Sequence, residues 1–198
     1  MDREVLVKMI DELNLEEQIS FDSIPNLDLY MDQVITLFED KLSHTKRYEE
    51  DKLLTKTMIN NYIKDRLLMP AVKKKYTKEH VVLMIILYEL KQVLTISDIK
   101  ELFSTMIKEE KVDAQVLREV YQMYLDFKGI GTSKFTEEVM DINAYIEEKM
   151  KTLESLDSEI ETDKVAKMIK VILLTQKANY YKRLAEKIID TELKDSNK

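Results

Sequence analysis

Apolar residues recur at intervals of three and four along nearly the whole chain, the spacing of one helix face rather than the alternation of a strand. Val5, Leu6, Met9, Ile10 and Leu13 predict a first helix over 2–13. After a loop over 14–27 that holds Pro25, Leu29, Val34, Leu37, Phe38 and Leu42 predict a second helix over about 29–43, with Asn26 or Asp28 as its cap. The polar run SHTKRYEEDK (43–52) reads as a connection. A short helix follows over 55–65, and Pro70 stands past its exit, where a helix cannot continue. AVKKKY (71–76) is a tight excursion. Thr77 then caps a helix to about Gln92, whose run VVLMIILYEL (81–90) is apolar all round and predicts a buried helix core. Thr95 with Asp98 resembles a capping box opening a helix over 96–110, and Asp113 caps another that ends before Gly129.

FKGIGTSK (127–134) is the one glycine-bearing stretch and predicts a loop between two halves, 1–128 and 129–198. Beyond it, Phe135, Val139, Ile142, Ile146, Met150 and Leu153 follow one another at spacings of four, three, four, four and three, a helix packed along its length. SLDSEIETD (155–163) breaks the pattern. A last helix from about 163 to 193 would be on the order of 45 Å long. Its stripe of Val165, Ile169, Ile172, Gln176, Tyr180, Leu184 and Ile188 suits a helical hairpin, a dimer interface or an ordinary core helix.

Composition sharpens this picture. Two glycines and two prolines in 198 residues leave almost no turn chemistry for hairpins, so the fold class is all-α. The absence of cysteine excludes disulfides, thiolate metal sites and cysteine nucleophiles, and fits a reducing, cytoplasmic location. The N-terminal MDREVLVKMIDELN does not resemble a signal peptide, and the most apolar run is half a bilayer span, so no membrane association is expected.

The net charge of −7 argues against indiscriminate nucleic-acid coating, but its distribution is uneven. Residues 41–80 hold eleven Lys and Arg against five Asp and Glu, an excess of six, which leaves −13 on the rest. Such an island is often only a solvated face. Inside it lies LTKTMINNYIKDRLLMP (54–70), with two adjacent asparagines in mid-helix, where asparagine is a poor choice for stability alone. On a 3.6-residue period Met58, Ile59, Tyr62 and Ile63 form the docking side. Thr57, Asn60, Asn61 and Lys64 share the opposite face, which carries no carboxylate. In a chain this rich in Glu and Lys, a merely wet face would read as Glu/Lys pairs. Asparagine can pair with adenine N6 and N7, threonine with a base edge or a thymine methyl, and lysine with guanine or phosphate.

From Thr57 to Pro70, TMINNYIKDRLLMP resembles the recognition helix of MerR-type winged helix-turn-helix regulators through Thr57, Tyr62, Lys64, Leu67, Leu68 and Pro70. YTKEHVVLMIILYELKQVLTISDIKELF (76–103) resembles the apolar helix and closing phrase that follow in that family. With IPNLDLYMDQV upstream, most of 20–130 is closer still to a bacterial family of unknown function whose members look like divergent MerR-type proteins. The chain departs from the MerR pattern in carrying Asn60 and Asn61 where Arg and Tyr are usual, and Arg66 where Gly is usual. The three-lysine stub Lys73–Lys75 leaves little room for a full β-wing, and the connection over 43–53 is longer than the usual turn.

The resemblance implies a DNA-binding domain over 1–128, with reduced wing, and a C-terminal helical dimerisation or effector region over 129–198. It implies a sequence-specific transcriptional regulator that binds double-stranded DNA as a homodimer. Thr57, Asn60 and Asn61 would read bases, while Lys56, Lys64, Arg66, Lys73, Lys74 and Lys75 would hold phosphates. The rival reading is a helix-turn-helix module that binds another protein. No enzyme, metal or cofactor is expected: His44 and His80 stand on different elements, no paired acids share a helix with a histidine, and two glycines make no phosphate-cradling loop. An effector is possible in principle but unspecified; Tyr121, Tyr124, Tyr145, Tyr180 and Tyr181 could line a pocket, although tyrosine on amphipathic helices usually belongs to a core.

Overall fold

The computed structural model describes residues 3–154 and 161–194. Helix dominates these residues, and the two strand pairs have only two residues per strand, so the fold is mainly α as the periodicity predicts. The chain divides into two compact units, Glu17–Asp126 with Ala185–Lys198, and Met1–Glu16 with Phe127–Leu184. No described helix is long and apolar enough to cross a membrane.

The first unit is built on β1 (Leu29–Tyr30), α2 (Met31–Leu42), α3 (Lys56–Lys64), β2 (Lys75–Tyr76), α4 (Lys78–Leu90), α5 (Ile96–Ser104), β3 (Ile107–Lys108), β4 (Lys111–Val112) and the start of α6 (Ala114–Glu154). α4 is buried almost all round, from His80 to Ile85 and again at Leu87 and Tyr88. Its core includes Val34, Phe38 and Leu42 of α2, Ile59 of α3, Ile99 and Phe103 of α5, and Leu117, Tyr121 and Leu125 of α6. Burial of apolar side chains on this scale is the main force holding such a unit together. The long connection after α2 is anchored too: Leu53 and Leu54 enter the core, and Lys91 Nζ donates to Leu53 O at 3.3 Å. Tyr121 donates its hydroxyl to Ile19 O at 2.6 Å, tying α6 to the start of the unit.

Helix starts follow the expected chemistry with one substitution. Thr95 caps α5 by accepting from Asp98 N at 3.2 Å, and Asp113 Oδ1 accepts from Gln115 and Val116 N at 2.9 and 3.0 Å. α2, however, is opened by Tyr30, whose backbone N–H donates to Gln33 Oε1 at 2.8 Å, rather than by Asn26 or Asp28. Leu29 and Tyr30 are drawn into strand pairing with Tyr76 and Lys75, which moves the helix start forward.

Two turns overturn the expectation that hairpins are unavailable without glycine. Lys73 and Lys74 take φ of 51° and 66°, and Glu109 and Glu110 take 51° and 59°. These pairs stand where hairpins ordinarily place Asn-Gly. The second hairpin, Ile107 opposite Val112, also stops α5 at Ser104 and replaces the helix expected to continue to 110.

In the second unit α1 (Arg3–Glu12) buries Leu6 and Ile10 with Val139 of α6, and Phe135, Met140 and Leu174 pack on them. Val5, Met9 and Leu13 of the expected stripe stay exposed. The glycine-bearing stretch 127–134 is not a loop: α6 passes through Gly129 and Gly131 as one helix of 41 residues. Glycine in a helix costs about 1 kcal/mol relative to alanine, a penalty two positions in so long a helix can bear. α7 (Thr162–Ile188) begins within a residue of the expected start and then passes into a π-helical turn, Ile189–Leu193. Within SLDSEIETD, residues 155–160 lie outside the described residues. The apolar stripe of α7 is largely uncovered, with Ile172, Tyr180 and Leu184 50, 56 and 61 % exposed.

Candidate functional site

α3 starts where Thr55 Oγ1 accepts from Met58 N at 3.1 Å. It ends in a Schellman arrangement: Arg66 N donates to Ile63 O at 3.1 Å and Leu67 N to Tyr62 O at 2.8 Å. This motif turns the chain through a left-handed residue, and Arg66 occupies that position with φ 61°. The helix is nine residues, about 14 Å, long. Ile59 and Tyr62 are buried and Met58 and Ile63 half-buried, the docking side read from the periodicity.

Thr57, Asn60, Asn61 and Lys64 are all exposed on the opposite side. Among the described residues, no hydrogen bond engages the Thr57 hydroxyl or either asparagine amide, so their donors and acceptors face water. Arg66, Lys73 and Lys74 are exposed as well. Among the described residues no ion pair engages Lys64, Arg66, Lys73 or Lys74. The lysine turn is held rigidly, since Val72 and Lys75 exchange backbone hydrogen bonds of 3.0 and 2.9 Å across it.

Two of the nine candidate residues sit differently. Lys56 forms an exposed ion pair with Asp32 Oδ1 at 2.7 Å. Lys75 is half-buried, with its ammonium 5.1 Å from the centroid of the Tyr30 ring. The periodicity also missed acidic neighbours that only folding supplies. A cavity of about 400 Å³ is lined by Ile63, Arg66 and Pro70 together with Lys100, Glu109 and Glu110, which sets the acidic turn beside the end of α3. Asp65 is the exposed C-cap residue of α3 itself. The face is free of carboxylates; its surroundings are not.

Near the lysine turn lies a histidine with a structural task. His80 Nδ1 accepts from Thr77 N at 3.1 Å, closing the capping box of α4, and its Nε2 lies 3.3 Å from Pro70 O. Burial lowers its pKa below the usual histidine value, only partly opposed by the Pro70 carbonyl and the charges of Glu79 and Asp28. Its ring meets that of Tyr76 edge-on at 5.6 Å.

A family model described as a domain of unknown function, DUF1836, matches residues 19–124, more than half of the chain. The chain belongs to that family. The DUF1836 region nearly coincides with the compact stretch Glu17–Asp126 and contains all nine candidate residues, whereas α1, most of α6 and α7 fall outside it. Among curated proteins and among solved structures, nothing matches the chain.

Proposed function

We propose that the DUF1836 region of this protein is a divergent MerR-like helix-turn-helix that binds double-stranded DNA and regulates transcription in the bacterial cytoplasm, without enzymatic activity. One observation carries the reading: Thr57, Asn60 and Asn61 stand together on an exposed, carboxylate-free helix face with their hydrogen-bonding groups uncommitted. A helix of this length fits a major groove about 12 Å wide, and amides there discriminate adenine. Lys64, Arg66, Lys73 and Lys74 flank the face as phosphate contacts, and Lys56 joins them once it leaves Asp32. The lysine turn takes the part of a reduced wing.

One short helix reads too few base pairs for selectivity, so the active species in this reading is a homodimer. The exposed stripe on α7 supports it, because Ile172, Tyr180 and Leu184 lack cover in a single chain. The test is DNA capture from genomic fragments, followed by fluorescence anisotropy on the recovered sites. Asn60→Ala/Asn61→Ala is expected to abolish sequence preference while keeping salt-dependent binding. Unchanged preference in that variant removes the base-reading role.

The acidic groups around the face favour a second reading, a protein-interaction module. Asp32, Asp65, Glu109 and Glu110 would oppose a polyanion but suit a mixed-charge protein surface. Co-elution with a protein partner that Asn60→Arg disrupts, with no anisotropy change on any duplex, would establish that reading instead.

A further inference from the structure

The division between the two compact units falls inside α6, between Asp126 and Phe127. On either side of it the helix is anchored. Leu117, Tyr121 and Leu125 are 0, 0 and 3 % exposed in the DUF1836 core, and Val139 and Ile146 are each 3 % exposed in the second unit. From residue 126 to residue 138, however, no residue is buried. At 1.5 Å per residue that is about 20 Å of helix, close to four turns. A helix packed on a core ordinarily buries a residue every three or four.

The residue types in this stretch weaken the helix further. Gly129 and Gly131 are the only glycines in the chain, and both lie in it. Glycine is needed where the backbone is left-handed or where a neighbour leaves no room for a Cβ. Neither reason holds here: neither glycine has a positive φ, and an added Cβ at either would meet nothing within 4 Å. What remains is the property glycine brings to any helix, a low propensity to stay in it. Thr132 and Thr136 act in the same direction. Their hydroxyls donate to Lys128 O and Thr132 O at 3.0 and 3.2 Å, the back-bonding that bends helices.

The other two crossings between the units are no firmer. α7 passes the division at Leu184 and Ala185, and none of its residues between Lys170 and Ile189 is buried. It then enters the π-helical turn Ile189–Leu193, a pattern that accompanies local deformation of helices. The step from Glu16 to Glu17 lies outside any helix or strand.

We infer that residues 127–134 of α6 form a built-in break: the helix opens and recloses there while the parts anchored at Leu125 and Val139 stay folded. Opening exposes little apolar surface, so it is opposed mainly by the hydrogen bonds of a glycine-weakened segment. The break uncouples the stabilities of the two units, whatever the DUF1836 region binds. Unfolding or reordering of the second unit then stops at residues 127–134 and leaves the DUF1836 core intact.

Amide hydrogen exchange on the full-length protein reads this residue by residue. Protection factors at Ile130, Thr132 and Ser133 are expected to be about a hundredfold or more below those at Tyr121 and Ile146. Gly129→Ala/Gly131→Ala is expected to raise them about tenfold or more, with Tyr121 and Ile146 unmoved. Gly131→Pro holds the break open, and is expected to leave protection at Leu83, Leu87 and Ile146 within about twofold of wild type. Uniform protection along α6, or no slowing of exchange in the alanine variant, overturns the inference. So does a proline variant in which both units lose protection together. Light scattering on the alanine variant covers the remaining case: if the added methyl groups break up an oligomer that the wild type forms, the glycines serve close packing against a second copy, and the break is overturned.

Discussion

Val72 and Lys75 face each other across a two-residue turn, exchanging backbone hydrogen bonds of 3.0 and 2.9 Å, and both corner residues between them are lysines in left-handed backbone. A residue with a Cβ costs about 1 kcal/mol or more in that conformation, and Asn-Gly is the sequence that relieves it. Two lysines here thus cost stability and place two cations at a rigid tip.

Lys73→Asn/Lys74→Gly separates those two effects. The variant is expected to be more stable by about 1–2 kcal/mol in urea unfolding. Under the DNA reading it should also bind every duplex more weakly, and the slope of log affinity against log salt should flatten by about 1.8 for two lost phosphate contacts. A gain in stability with unchanged salt dependence would leave the turn outside the interface.

Arg66 poses the same question at the end of α3. Glycine is the preferred residue at this left-handed position, and Arg66→Gly is expected to stabilise the fold by about 1 kcal/mol. The same change removes one cation beside Lys64, so DNA affinity should fall while thermal stability rises. Differential scanning fluorimetry and anisotropy on one preparation measure both. Loss of stability would mean that the packing of Arg66 along the cavity wall, against Ile63 and Pro70, outweighs its backbone strain.

The residues that were legible in the sequence are those whose environment is set by their own helix. Met58, Ile59, Tyr62 and Ile63 turn inward and Thr57, Asn60, Asn61 and Lys64 outward because a 3.6-residue period fixes which side chains share a face. α4 was legible for the related reason that an all-round apolar helix has nowhere to go but the core. Features made by tertiary context were not. Lys73, Lys74, Glu109 and Glu110 carry no turn signature, because the surrounding fold, and not their own preference, drives them to positive φ. The approach of Glu109 to Arg66, and of Lys170 to Asn143, joins residues remote in sequence, and no periodicity reports on such pairs. Gly129 and Gly131 misled in the other direction: with open space around the position of an added Cβ, they are helix residues of low propensity and mark no turn.

The ion pair between Lys56 and Asp32 gives a prediction in which affinity should increase. Both side chains are well exposed, so the pair contributes roughly 0–1 kcal/mol to stability. Asp32→Asn frees the Lys56 ammonium and removes one negative charge next to α3. Its unfolding midpoint is expected to stay close to wild type. DNA affinity at low salt is expected to rise by about three- to tenfold, an advantage that shrinks as added salt screens the lost repulsion. Unaltered affinity would show that Lys56 does not reach the duplex.

His80 makes the DUF1836 region sensitive to acid. In the folded protein its Nδ1 must accept from Thr77 N, a role open only to the neutral ring, and burial favours that form. The folded pKa is therefore below the unfolded value of about 6.5, and the unfolded chain binds the extra proton. Stability linked to this group is fully present above about pH 6.5 and is lost progressively as the pH falls from there towards the folded pKa. Glutamine is a standard partner at the same capping-box position and does not titrate, so His80→Gln can keep the cap. Unfolding midpoints at about pH 7.5 and 5.5 should converge in that variant relative to wild type. Because protonation of Nδ1 removes the acceptor of Thr77 N while Nε2 keeps its hydrogen bond to Pro70 O, it should loosen the first turn of α4 before the unit unfolds. Amide exchange at Thr77, measured across the same pH range, should speed up in wild type below about pH 6.5 and remain level in His80→Gln. Equal acceleration in both proteins would trace the acid sensitivity to carboxylates instead.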